Sequence, residues 1–281
     1  MHDAGLPPAE QLAALAKAGR RVLTPCGDGS LVWHVWGDGM PILLLHGNHG
    51  SWRHWARNIP DLAQRYRVLA PDLPGNGESD PPLLPASLAA IVDVIETGMR
   101  EIIGPTRLHA LFGFSFGSNM AGDLARRMAE GLQQLVLVGP AGLGLPQGPR
   151  DELLRWRQLP DEAARRAAHR RNLEILMIHD PARIDALAVE IQAFGAESHR
   201  MRERPSMGPA PLAEALPDIR ARIACVWGGA DGAAGPYLQA RRDRLAAIRP
   251  DAAQFLIEGA GHWVQYEAAG PFNSLVRERL G

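Results

Sequence analysis

The sequence predicts an α/β protein: a mostly parallel β-sheet with helices on both faces and a block of helices inserted late in the chain. Three observations carry this. Short apolar runs alternate with segments of helical periodicity along most of the 281 residues, the pattern of consecutive βαβ units. Several runs are apolar at every position, as strands buried on both faces require. Between 141 and 217 the alternation stops, leaving helix-like sequence rich in Arg, Ala and Leu.

The elements follow in order. Residues 7–18 place Leu12 and Leu15 on one face of a short surface helix that Gly19 can end. The run 31–36 alternates like a half-exposed antiparallel strand, whereas 42–45 is continuously apolar like a buried parallel one. A helix-like stretch at 51–64, a strand at 66–70, a helix at 87–103, a strand at 108–112, a helix at 115–130 and a strand at 135–138 come next. Beyond the insertion the alternation resumes with strand 223–227, helix 236–248, strand 255–257 and helix 271–280. The insertion opens on Gly142, Gly144, Pro146, Gly148 and Pro149, and its stretches 151–158, 161–178 and 183–194 read as helices. The expected organisation is a core of 1–140 and 218–281 with a helical cap, 141–217, over the carboxyl edge of the sheet, where open α/β sheets bind ligands.

Composition narrows the function classes. Hydrophobic residues at 46% and charged residues at 22% describe an ordinary folded chain. With 30 basic against 31 acidic residues, no basic field recruits nucleic acid or an anionic membrane. No apolar window is long enough to span a bilayer, and the N-terminus shows no secretory leader, so a cytoplasmic location is expected. Cys26 and Cys225 flank or lie in strands and read as small buried thiols. Monomer and homodimer both remain open.

The chemistry concentrates at strand ends. Gly113-Phe114-Ser115-Phe116-Gly117 has the form G-x-S-x-G, which chance gives roughly 0.1 times in a chain with nine Ser and 30 Gly. It follows a strand and opens a helix, so Ser115 sits on a tight turn with its hydroxyl above the sheet and the helix N-terminus pointing at it. A serine needs a base. His262, flanked by Gly261 in a loop after the last strand, reaches the same edge. An orienting carboxylate is expected between them, and Asp231, after the strand 223–227, has little competition, because the preceding strand ends in Gly139-Pro140. The order Ser115, Asp231, His262 supplies nucleophile, orienter and base.

A developing oxyanion needs donors. The segment His46-Gly47-Asn48-His49-Gly50 follows a buried strand, so the backbone N–H groups of Asn48 and Phe116 form the expected pair, with the Asn48 side chain as a third donor. His46, His49 and His54 lack acidic or Cys companions at ligand spacing, so no metal is expected. The turn from Asp72 to Ser79 has neither the Lys nor the register of a phosphate loop and reads as structural. Trp52, Phe114, Phe116 and Trp263 are the candidate pocket walls.

Taken together, His46-Gly47, Asp72-x-Pro-Gly75-x-Gly77-x-Ser79, Gly113-x-Ser115-x-Gly117, Asp231 and Gly261-His262 resemble the α/β-hydrolase superfamily over nearly the whole chain. The resemblance implies an eight-stranded sheet, a helical cap, a Ser–His–Asp triad and no cofactor. The haloalkane dehalogenase branch shares His-Gly-Asn but uses Asp as nucleophile, where this chain has Ser115. The string Gly261-His-Trp-Val-Gln-Tyr-Glu267 resembles the meta-cleavage product hydrolases, which cut carbon–carbon bonds in ring-fission dienoates. That branch usually carries Asn where this chain has Phe114, and it holds the substrate carboxylate with a cap Arg that no single residue among Arg165, Arg166, Arg170 and Arg171 identifies. Expected is a cofactor-free serine hydrolase of a small carboxylic ester, with the dienoate C–C bond as alternative. A small-molecule receptor on the same fold is the alternative of another class.

Overall fold

The computed structural model describes residues 5–148, 150, 152–201 and 203–279. Eight strands, β1 (Arg20–Cys26), β2 (Gly29–Trp36), β3 (Met40–Leu45), β4 (Tyr66–Pro71), β5 (Leu108–Phe114), β6 (Leu132–Val138), β7 (Arg222–Gly228) and β8 (Ala253–Ile257), form one sheet in the order β1-β2-β4-β3-β5-β6-β7-β8. β2 is antiparallel to both β1 and β4, and every pairing from β4 to β8 is parallel. The parallel strands therefore send their carboxyl ends to one edge.

Helices cover both faces. In chain order they are α1 (Pro8–Lys17), α2 (Ile59–Leu62), α3 (Leu88–Ile103), α4 (Gly117–Met128), α5 (Glu162–Leu176), α6 (Ala186–Glu197), α7 (Pro211–Ala215), α8 (Leu238–Ile248), α9 (Val264–Glu267) and α10 (Ala269–Arg279). Ile91, Val92, Ile95 and Met99 of α3 join Leu124 of α4 and Leu245 of α8 in one core layer, while Trp55, Ile59 and Phe272 build the other. Leu43 and Leu45 face the first layer and Ile42 and Leu44 the second, which is why a central strand must be apolar throughout. Among the described residues no helix is long and apolar enough to cross a membrane.

Four expectations change. β2 is not half-exposed: residues 31–36 are all buried, because α1 is not merely on the surface but seats Leu12 in the core and receives the Trp36 indole N–H on the Leu15 carbonyl at 2.7 Å. β1 was not expected at all from its own sequence, since Arg20, Arg21 and Pro25 break the apolar pattern; it is an edge strand, where charge and proline are tolerated. The stretch 51–64 is a 3-10 turn at Trp52–Trp55 followed by the single turn α2, because Pro60 has no N–H with which to continue a helix. Of 151–158 only the 3-10 turn Trp156–Gln158 is helical, and Asp151 lies outside the described residues. There the Asn172 side chain takes over helix bonding, accepting from the Leu154 N–H and donating to its carbonyl at 2.8 and 3.1 Å.

α5 and α6 stand between β6 and β7 in the chain. α7 behaves differently. Leu212 and Ala213 pack into the sheet core, with the Leu212 side chain against Gly122 of α4, so the core resumes before residue 218.

Candidate active site

Three parallel strands deliver the site. Ser115 follows β5 directly and holds φ at +49°, a left-handed conformation that a non-glycine residue pays for in strain. The strain is held by neighbours: the Ser115 N–H donates to Val138, and its carbonyl accepts from Ser118 and Ala141. Both flanking glycines are needed for close approach. A Cβ on Gly113 would lie 2.7 Å from the Ala121 side chain, and one on Gly117 would lie 2.5 Å from the His46 carbonyl.

His262 stands in the loop between β8 and α9, 6% exposed, and meets Ser115 and Asp231 at once. With the proton on Nδ1, the ring donates to Asp231 Oδ2 at 2.8 Å and accepts the Ser115 hydroxyl on Nε2 at 2.8 Å. Asp231, buried after β7, also accepts the Ala234 N–H on Oδ1 at 2.8 Å. Burial alone would raise this carboxyl, but His262, the Ala234 amide and the nearby charge of Arg241 hold it below the ordinary carboxylate range. Gly139, just after β6, lies against the pair: a Cβ there would sit 3.1 Å from the imidazole. The bare Gly-Pro end of β6 thus makes room for the histidine.

A cavity of about 870 Å³ opens above Ser115 and His262. Asn48 and Phe116 line it beside Ser115, and among the described residues neither amide N–H is taken by a protein acceptor. Phe114 also lines it. Trp52 and Trp263 do not. Trp52 is sealed in the core against His34 and Trp36, and Trp263 stacks on Tyr266 at 4.1 Å while its indole N–H donates to the His54 carbonyl at 2.9 Å. Proximity to the base in sequence misled here, because the peptide after His262 turns inward under α9.

The walls that sequence reasoning missed come largely from the insertion and its flanks: Trp156, Leu176, Met177, Met201 and Met207, with Met120 from α4. Only the placement of the insertion above the sheet edge pointed to them, and no periodicity marks which of its residues face inward. Arg150 and Arg204 line the same cavity, and among the described residues neither forms an ion pair. None of the four candidate cap arginines lines the cavity: Arg166 pairs with Glu190, Arg170 with Glu174 and Arg171 with Glu152, and Arg165 lies away from it as well.

His46, His49 and His54 do not converge on a metal, and among the described residues no group of three or more ligands does. The His46 Nδ1–H donates to Gly47 and its Nε2 accepts the Leu73 N–H, and burial pushes its pKa down to about 4. His54 accepts the Gly47 N–H, so both rings brace the loop that carries Asn48. Asp72 braces the next turn, accepting the N–H groups of Trp52 and Glu78 at 2.8 Å each, which makes the segment from Asp72 to Ser79 structural.

Residues 40–172 match a family described as the alpha/beta hydrolase fold. The sheet order, the strained serine and the histidine loop agree with it. The chain has the α/β-hydrolase fold. It is similar to a solved meta-cleavage product hydrolase from Pseudomonas fluorescens IP01, with a TM-score of 0.72 and 26% identity over 93% of this chain and 97% of the other. Among curated proteins it is 28% identical over 261 residues to a 2-hydroxy-6-oxo-6-phenylhexa-2,4-dienoate hydrolase of Burkholderia cepacia, covering 87% of this chain and 88% of that one. It is also 29% identical over 259 residues to the dihydrolipoyllysine-residue acetyltransferase component of an acetoin cleaving system from Cupriavidus necator. Of that longer protein the match spans 64%.

Proposed function

We propose that this α/β hydrolase is a cofactor-free serine hydrolase that cleaves a bond to a carbonyl carbon through an acyl-enzyme. The observation that carries the reading is the continuous chain Ser115 Oγ–His262–Asp231, with 2.8 Å at each link. Ser115 attacks the carbonyl; His262 takes its proton and returns it to the leaving group, while Asp231 holds the ring and stabilises the imidazolium. The Asn48 and Phe116 N–H groups, without protein acceptors among the described residues, receive the oxyanion. Water then attacks the acyl-enzyme with His262 again as base. A small carboxylic ester is the substrate that this apparatus serves most directly.

A second reading has its own support. Relatives named as a phenylhexadienoate hydrolase, a nonadienedioate/nonatrienedioate hydrolase and a 2-hydroxymuconate semialdehyde hydrolase match 87–88% of this chain at 26–28% identity, and Arg150 and Arg204 face the cavity with positive charge that suits a carboxylate-bearing substrate. Hydrolysis of the C–C bond beside a ketone would use the same serine, base and oxyanion donors.

Short-chain p-nitrophenyl esters and a ring-fission dienoate, each offered to the wild type and to Ser115→Ala, test both. Ester turnover that disappears in a folded Ser115→Ala supports the first reading. Turnover of the dienoate alone, weakened by Arg150→Ala or Arg204→Ala chiefly through KM, supports the second. Binding without turnover of either overturns both and favours a receptor.

A further inference from the structure

Arg241 of α8 is 5% exposed, yet among the described residues it forms no ion pair. Its Nη1 donates to the Pro140 carbonyl at 3.4 Å and its Nη2 to the Pro146 carbonyl at 2.6 Å, while Nε is buried with no partner. Both carbonyls belong to the segment that leaves β6 for the insertion. A guanidinium so enclosed is costly unless another charge compensates it. Asp231 faces the same cleft, and its negative charge favours the Arg241 cation without touching it. Arg241, Asp231, His262 and Ser115 line one cleft of about 20 Å³, which has room for a single water and no larger ligand.

We propose that Arg241 is a positioning residue for the Ser115–His262–Asp231 site, holding the 140–146 segment behind His262 and opposing, by its charge, the uptake of a proton by that ring. The role rests on the serine-hydrolase reading given above. A base must be neutral when substrate arrives, and a buried carboxylate beside an imidazole favours the imidazolium. Arg241 is the counterweight: its positive charge beside Asp231 offsets part of the pull that the carboxylate exerts on a proton at His262. Other ionisable groups near the pair have different tasks. His54 is buried and kept neutral, Glu267 accepts three backbone N–H groups, and Arg150 stands exposed at the mouth of the cleft.

The test is the titration of His262 itself, followed by NMR on protein labelled with ¹⁵N-histidine and assigned with His262→Gln. In Arg241→Gln, which removes the charge, His262 is expected to titrate about half to one pH unit higher than in wild type. Arg241→Lys, which keeps the charge, is expected to stay within a few tenths of wild type. Arg241→Met replaces the Gln variant if that one does not fold, and carries the same expectation. The acid limb of kcat/KM on a p-nitrophenyl ester should move with the titration. Equal His262 titration in the wild type and the neutral variant overturns the proposal. Absence of Ser115-dependent turnover would overturn the hydrolase reading instead, and the titration would still decide the role of Arg241.

Discussion

Gly117→Ala tests how tightly the strand–turn–helix around Ser115 is packed. An ideal Cβ at this position would lie 2.5 Å from the His46 carbonyl and 2.8 Å from that of Leu45, about 0.9 Å inside the 3.4 Å of ordinary contact. The obstacles are backbone at the end of β3, and β3 is paired with β5 through Leu45 and Gly113, so neither strand can give way alone. The start of α4 must move outward. Overpacking of this kind costs about 1–3 kcal/mol, and at roughly 2–4 °C per kcal/mol the Tm should fall by several degrees. The same displacement carries the Phe116 amide and the Ser115 hydroxyl away from their positions beside His262, and a shift approaching ~1 Å can cost about 100-fold in rate. Thermal unfolding, ester turnover and the rate of Ser115 labelling by a fluorophosphonate read the two effects separately. Gly270→Ala at the start of α10 is the control: nothing lies within 4 Å of its Cβ position, so no clash is introduced and turnover should stay at the wild-type level. Wild-type Tm and turnover in Gly117→Ala would refute the close-packing argument.

Three further predictions probe the supports of the site. Glu267 is buried and accepts the N–H groups of Gly261, His179 and Asp180 at 2.6, 3.0 and 2.8 Å, joining the His262 loop to the insertion. In Glu267→Gln either amide orientation turns an NH₂ toward a donor, so a loss of about 1–3 kcal/mol in denaturant unfolding is expected; an unchanged midpoint would contradict it. Trp263→Phe should lower stability, because it orphans the buried His54 carbonyl, while KM for any substrate stays put; a raised KM would restore Trp263 to the pocket. Asp72, buried, is pushed up to about 7 from 3.8, against the pull of the Glu78 and Trp52 N–H groups. The native state then holds this proton more tightly than the unfolded chain, so the contribution of Asp72 is full below the ordinary carboxylate range and drains away as pH rises toward 7. Urea midpoints across that window should fall with pH in the wild type and less steeply in Asp72→Asn. Parallel slopes would show that Asp72 is ionised throughout.

Much of the fold was legible because it obeys local rules. The parallel strands announced themselves through unbroken apolar runs such as Ile42 to Leu45, and their helices through spacing, as in α3 with its Ser87 cap accepting the Ala90 N–H. What failed were elements whose conformation is set from outside. β1 pairs with β2 across seven residues despite Arg20, Arg21 and Pro25. β2 looks amphipathic but is buried on both faces by α1 and α3, and nothing within residues 31–36 records the presence of α1.

The candidate site divides along the same line. Ser115, Asp231 and His262 could be read from the sequence because each follows a parallel strand, and topology sends all such ends to one edge; side-chain type and chain order then suffice. The glycines at 113, 117 and 139 belong to the same legible set, since each marks a place where backbone or imidazole comes close. The tertiary structure alone decided the rest. It turned Trp52 and Trp263 inward and brought Met201, Met207 and Trp156 over Ser115 from segments far away in sequence. It also left Arg150 and Arg204 facing the cavity while pairing the nearer-looking arginines with glutamates, and it buried Arg241 behind Asp231. The physical reason is that strand ends inherit their position from hydrogen-bonded register, which sequence periodicity encodes. The direction of a loop or cap side chain depends instead on which distant surface is there to receive it.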